Sequence, residues 1–149
     1  MEYSKINKIQ INNYNFELTE IISEELIKDK VKDISSKISR KFMGKNPVII
    51  GVLNGSFVFL SDLIRNIEIN CELDFIKVSS YINSSNRGKI ELELKNKIKL
   101  DNREIIIVED IIDSGNTLSF LYDHFKKLNV KSISSAVLLN KYQINKKKI

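Results

Sequence analysis

The sequence predicts an α/β fold, a parallel sheet flanked by helices, on three observations. Ile105, Ile106, Ile107 and Val108 form a run of β-branched residues without polar alternation, as in a strand covered on both faces. A second such run, VIIGVL over residues 48–53, precedes it. Each run meets a short polar turn and then a segment with helical spacing, the order of a sheet wound with helices.

Taken in order, residues 23–42 are predicted as an amphipathic helix with Leu26, Ile27, Val31, Ile34, Ile38 and Phe42 on one stripe. Pro47 ends the connection into the first central strand, 48–53. Asn54-Gly55 then gives a turn able to present backbone N–H groups, and a helix follows near 56–66. Within it Phe57, Leu60 and Ile64 recur at helical spacing and read as core, with Phe59 and Leu63 facing another layer or a subunit. Residues 73–80 read as a strand. Residues 91–100, ELELKNKIKL, alternate polar and apolar side chains and suit an exposed antiparallel pair or extension. The strand near 104–109, a helix near 117–128 and a strand near 132–139 complete the list.

Composition narrows the function classes. At 149 residues the length suits one domain with a small satellite. No apolar run reaches the ~18 residues of a membrane span, and MEYSKINKIQ lacks the apolar core of a secretory signal. A cytoplasmic location is the expectation. Cys71, the one cysteine, reads as a semi-buried apolar residue, and the single His124 falls inside the 117–128 helix. The net charge of +5 could favour a polyanionic ligand. Its lysines are scattered, with a run only at Lys146, Lys147 and Lys148, which argues against a nucleic-acid surface.

The chemistry gathers after the second apolar run, in VEDIIDSGNTL. Glu109 and Asp110 fall at the carboxyl end of the strand, where open α/β sheets collect ligands. Adjacent acids repel, and a sugar diol with a divalent cation would answer both charges. Ser114, Gly115, Asn116 and Thr117 can form a turn whose N–H groups converge at the positive end of the next helix, a nest for a phosphate monoester. Ser114 or Thr117 could equally serve as a helix cap. Neither a Walker loop nor a dinucleotide fingerprint is present.

These residues resemble a known family, the type I phosphoribosyltransferases, and within it the hypoxanthine (hypoxanthine-guanine) phosphoribosyltransferases. VEDIIDSGNTL is similar to the family's phosphoribosyl pyrophosphate signature, and the resemblance extends through GVLNGSFVFLSDLIR, DFIKVSSY and the LLNK run ending at Lys141. It implies a phosphoribosyltransferase-like core over about 23–141, a partial hood over about 1–22 and a Lys-rich tail at 142–149. The implied activity is purine salvage: Mg2+-dependent transfer of phosphoribose from phosphoribosyl pyrophosphate to hypoxanthine or guanine, a 6-oxopurine. Glu109 and Asp110 would hold the ribose hydroxyls, directly or through magnesium. Asp113 would be the catalytic carboxylate at the purine N7, and Ser114, Gly115, Asn116 and Thr117 would cradle the 5′-phosphate.

Leu53, Asn54 and Gly55 match the family's pyrophosphate loop, often built with a strained peptide bond, with Asn54 where Lys or Arg is usual. Ser79, Ser80 and Tyr81 resemble the start of a flexible lid loop, here about 79–89, with Ile82 where Gly is usual. Lys141 matches the lysine that contacts the purine 6-oxo group, flanked by Asn140 and Tyr142 where Asp and Pro are common. A homodimer or homotetramer is implied. The family's final segment, with its purine-stacking aromatic and a further magnesium-holding Asp, has no counterpart in this sequence. The other expectation is therefore a truncated non-catalytic or regulatory relative that binds nucleotide or RNA.

Overall fold

Unalternated β-branched runs need cover on both faces, and the sheet supplies it. The structure is a computed structural model that describes residues 6–11, 14–83, 86–94 and 97–141. Along the chain come β1 (Ile6–Ile11), β2 (Tyr14–Thr19), α1 (Glu24–Lys41), β3 (Val48–Leu53), α2 (Phe57–Asn66), β4 (Glu72–Asn83), β5 (Asn86–Leu94), β6 (Glu104–Ile112), α3 (Asn116–Lys126) and β7 (Ser132–Asn140). Two compact units result, Met1–Lys30 and Val31–Ile149.

In the first unit β1 and β2 pair antiparallel, from Ile6 opposite Thr19 to Ile11 opposite Tyr14. No strands are predicted here from the sequence, although the Asn12-Asn13 pair between two alternating runs is a hairpin signal. Helix α1 opens on Ser23, whose hydroxyl accepts the Leu26 N–H at 3.3 Å. Glu24 and Glu25 stand in the first turn, where negative charge suits the helix dipole. Leu26, predicted on the buried stripe, is 50% exposed. Apolar spacing marks a face without saying how much of it is covered.

In the second unit the sheet order is β5-β4-β3-β6-β7. β3 is parallel to β4 and β6, and β6 to β7, while β5 runs antiparallel on β4. The predicted parallel sheet is thus present, with one antiparallel edge. Strand alternation divides the core between the two faces. Val48, Ile50 and Val52 of β3 join Ile105 and Ile107 of β6 in a cluster with Leu118, Leu121 and Phe125 of α3. On the other face Gly51 lies against Leu60 of α2, and Ile106 lines a cavity with Ile34, Ile38 and Phe42. Two serines fasten the α1 segment of this unit beside α2. Buried Ser35 shares its hydroxyl proton between Val31 O at 2.8 Å and Leu63 O at 3.2 Å, and the Ser39 hydroxyl accepts the Glu68 N–H at 3.0 Å.

Three predictions need correction. The buried residues of α2 are Phe59, Leu60 and Leu63. Phe57, read as core, is 59% exposed and Ile64 is half-buried. Both instead line an apolar groove of about 290 Å³ with Leu73 and Phe75 of β4, because packing against β3 and α1 selects the face one residue round from the one chosen on spacing alone. The strand predicted within 91–100 ends at Leu94. Farther on, the Asp74 carboxylate accepts the N–H groups of Lys97 at 2.6 Å and Ile98 at 2.8 Å, turning the chain so that Leu100 becomes buried. Lastly, the loop predicted over 79–89 is strand for Ser79–Asn83 and from Asn86 onward, with Ser79 opposite Glu91 and Asn83 opposite Asn86. Its polar composition is compatible with an antiparallel arm because a ladder satisfies the backbone whatever the side chains.

Candidate functional site

The parallel order of β4, β3, β6 and β7 brings their carboxyl ends to one rim of the sheet, so segments far apart in sequence meet there. Leu53, Asn54 and Gly55 leave β3, the 113–117 turn leaves β6, and Lys141 leaves β7. Ser79, Ser80 and Tyr81 continue along β4 beyond the level of Leu53, which pairs with Lys77.

β6 runs four residues past Val108, to Ile112, so the acids lie within the strand, with Glu109 opposite Val137 of β7. The pleat then sends the two side chains to opposite faces. Glu109 lines a small concavity of about 70 Å³ on the α3 side, together with residues 111–118. Asp110 turns to the α2 side, where its carboxylate covers Gly55. Burial, and secondarily the neighbouring Asp110 carboxylate, push the Glu109 carboxyl up to about 7.

The turn after β6 leads directly into α3. Gly115 is buried with φ of 76°, a left-handed conformation that suits glycine, and it occupies the N-cap of α3. No side chain caps the helix. The Ser114 hydroxyl receives only a long 3.4 Å contact from Asn116 N–H, so Ser114 and Thr117 are not the caps they could have been. The first turn of α3 therefore faces the concavity with its backbone donors, the arrangement that binds anions at helix starts.

Asp113 and Lys141, 28 positions apart, are brought together. The Lys141 N–H donates to Ile112 O at 2.9 Å, extending the β6–β7 ladder by one step. Lys141 Nζ then lies 3.4 Å from Asp113 Oδ1, with both side chains half-exposed. A pair so wetted is worth at most ~1 kcal/mol and yields easily to a ligand.

The loop after β3 has a cis peptide between Leu53 and Asn54. Its exit is held by Ser56, which sequence reading passed over. This fully buried residue donates its hydroxyl to Val52 O at 2.6 Å, and its own carbonyl accepts the Leu60 N–H at 2.7 Å. A serine directly before an apolar helical run was the available signal. Among the described residues no cluster of three or more His, Cys, Asp or Glu could hold a metal, and no helix is long and apolar enough to cross a membrane. The tail at 142–149, Tyr142 included, lies outside the described residues.

Comparison with known proteins agrees with this geometry. Residues 17–148 match the family model for the phosphoribosyl transferase domain. The chain is 41% identical over 122 residues to the hypoxanthine-guanine phosphoribosyltransferase of Bacillus subtilis, covering 81% of this chain and 68% of that protein. It is 36% identical over 122 residues to the bifunctional protein TilS/HprT of Listeria innocua, covering 81% of this chain and spanning 19% of that much longer relative. Among solved structures, it superposes on a hypoxanthine-guanine phosphoribosyltransferase of Bacillus anthracis with a TM-score of 0.79 and 43% identity, covering 87% of this chain and 75% of that one. A hypoxanthine phosphoribosyltransferase of Staphylococcus aureus gives a TM-score of 0.80 at 30% identity, with 87% and 71% covered.

Proposed function

The chain belongs to the phosphoribosyl transferase family, with hypoxanthine-guanine phosphoribosyltransferases among its relatives, and from that premise we propose that it transfers phosphoribose from phosphoribosyl pyrophosphate to hypoxanthine or guanine. The observation that carries this reading is the convergence on one sheet rim of the glycine turn that starts α3, the acid pair and the Asp113–Lys141 couple.

In this reading the N–H groups of the 114–117 turn bind the 5′-phosphate, and Glu109 and Asp110 take the ribose hydroxyls. The loop at Leu53, Asn54 and Gly55 receives the pyrophosphate through its backbone, which is why a neutral Asn54 suffices. As the bond from the anomeric carbon to the pyrophosphate oxygen breaks and the bond to the base nitrogen forms, the proton on N7 passes to Asp113. Lys141 leaves its contact with Asp113 and donates to the 6-oxo group, which disfavours a 6-amino purine. Positioning and charge supply most of the acceleration, as expected for a sugar with oxocarbenium character. The strand arm from Ser79, Ser80 and Tyr81 into β5 would screen the reacting carbon from water.

Magnesium fits this donor set. Glu109 is raised by burial and by a neighbouring charge that a cation would relieve, and with no three-residue cluster among the described residues, Mg2+ would be held by one or two carboxylates, the rest of its shell being substrate oxygens and water. Bound there, it would neutralise charge on the departing pyrophosphate. A second copy of the chain is proposed to cover the apolar groove that exposed Phe57 and Leu73 line, giving a homodimer or a homotetramer.

The test is formation of inosine monophosphate from hypoxanthine and phosphoribosyl pyrophosphate with Mg2+, with Asp113→Asn in parallel. A rate falling ~100-fold or more in the variant supports the proposal, within the range for loss of an acid–base group. Absence of product with the unaltered chain would turn the reading to a non-catalytic nucleotide-binding relative.

A further inference from the structure

Gly55 has no obvious reason to be glycine on backbone grounds. Its φ is not among the left-handed values, which belong to Gly44 and Gly115 among the glycines. The constraint is space. A Cβ built at position 55 would lie 2.7 Å from both Asp110 Oδ1 and Oδ2 and 3.0 Å from Asp110 Cγ, closer than real Cβ contacts come. Equal distances to both oxygens, with Cγ farther off, mean that the carboxylate turns its oxygen edge toward the Gly55 Cα.

The register explains the meeting. Gly51 of β3 pairs with Val108 of β6, so two residues on, where β3 ends and β6 continues, Asp110 comes beside the turn out of β3. Its side chain shares the face of Val108, the face on which α2 begins. An ordinary side chain at 55 would have to push the Asp110 carboxylate away, and Asp110 sits in β6 between Glu109 and Ile111, which pair with Val137 and Leu139 of β7. The displacement would fall on χ1 and χ2 of Asp110 and change where its oxygens point.

We infer that Gly55 is a positioning residue for Asp110, its bare Cα leaving the room in which the Asp110 carboxylate oxygens sit at the diol site, so that the pyrophosphate loop and the diol site are mechanically one unit. This rests on the functional reading above for the identity of the ligand, and on contact geometry alone for the coupling. It separates two roles for the loop: the backbone of residues 53–55 faces one ligand group, while the missing side chain at 55 serves another.

The test uses the whole chain with Gly55→Ala, Asp110→Ala and the double variant, without metal. Ribose 5-phosphate, which carries the diol and the phosphate but no pyrophosphate, is titrated by calorimetry against inorganic phosphate as control. Gly55→Ala is expected to weaken ribose 5-phosphate about tenfold, a factor typical of one lost hydrogen-bonding group, and to leave inorganic phosphate within about twofold. In the Asp110→Ala background the same change should cost almost nothing, since the atoms it displaces are gone. A Gly55→Ala protein as tight as the unaltered chain, or a loss undiminished in the Asp110→Ala background, overturns the inference. Should Gly55→Ala fail to fold, the double variant should fold, because it removes the collision; failure of both overturns it as well. The 13C resonance of the Asp110 carboxyl, followed without ligand, is expected to move in Gly55→Ala and to stay in place in Ser114→Ala. That readout keeps the coupling testable even if the chain binds no ribose phosphate, a result that would count against the functional reading alone.

Discussion

The two turns at the sheet rim use glycine for different physical reasons. After β6, Gly115 is required by conformation: φ of 76° opens the nest and starts α3 without a side-chain cap. After β3, Gly55 is required by a neighbour, the Asp110 carboxylate resting on its Cα. One glycine can be recognised from its own turn; the other has meaning only when two strands are in register. The acids between these turns follow the same division, with Glu109 lining the β6 nest and Asp110 leaning on the β3 loop.

Replacing Gly115 with Ala should separate the two turns most sharply. An L-residue held in the left-handed region is strained by roughly 1–2 kcal/mol, and the strain falls on the same N–H groups that would bind phosphate. Chemical denaturation should show that loss of stability, and inorganic phosphate affinity should drop about tenfold. Gly55→Ala, in contrast, should spare inorganic phosphate. Equal behaviour of the two variants toward phosphate would erase the distinction between a glycine of conformation and a glycine of space.

A smaller effect should appear as a pH dependence on the β6 side. Burial and Asp110 raise the Glu109 carboxyl from 4.5 to about 7, so between those values the folded chain holds a proton that the unfolded chain has released. Stability from this group is therefore fully present below 4.5, declines as pH rises, and is lost above about 7. Discounted for the solvent that Glu109 still meets, the change is on the order of 1 kcal/mol. Denaturation midpoints measured from pH 4.5 to 8 should fall over this window and flatten in Glu109→Gln. A rise with pH, or a slope unchanged in the variant, would mean that Glu109 is solvated and that the nest carries no buried acid.

The same division explains what could be read from the sequence. The β6 run, its acids and the turn into α3 are contiguous, so strand, nest and helix were legible together, as were β3, β7 and most of the helix limits. What depended on partners was not. The choice of Phe59 and Leu63 over Phe57 and Ile64 is made by the α1 serines and by β3, whose Gly51 admits Leu60. The Asp74 bonds that turn residues 97 and 98 join positions 23 and 24 apart. The arm over residues 79–89 has the composition of a loop, and only pairing between β4 and β5 makes it strand. The β1–β2 hairpin is the exception, a local signal present and overlooked. Of the site residues, Lys141 was tied to the rest by resemblance, and its nearness to Asp113 follows from one further rung of the β6–β7 ladder.

That rung makes the smallest predicted effect the most discriminating about Lys141. Its ion pair with Asp113 is half-exposed on both sides, so Lys141→Ala should change stability by less than ~0.5 kcal/mol. A lysine that was only a solvated charge would leave base recognition equally unmoved. If it reads the 6-oxo group as proposed, its loss should cut the preference for hypoxanthine over adenine by about tenfold or more, since a lost donor to a carbonyl is felt as discrimination between bases. Competition of the two bases for the phosphoribosyl pyrophosphate-loaded chain measures that ratio directly. A ratio held constant with stability also unchanged would return Lys141 to the surface and leave the Asp113–Lys141 contact a by-product of strand geometry.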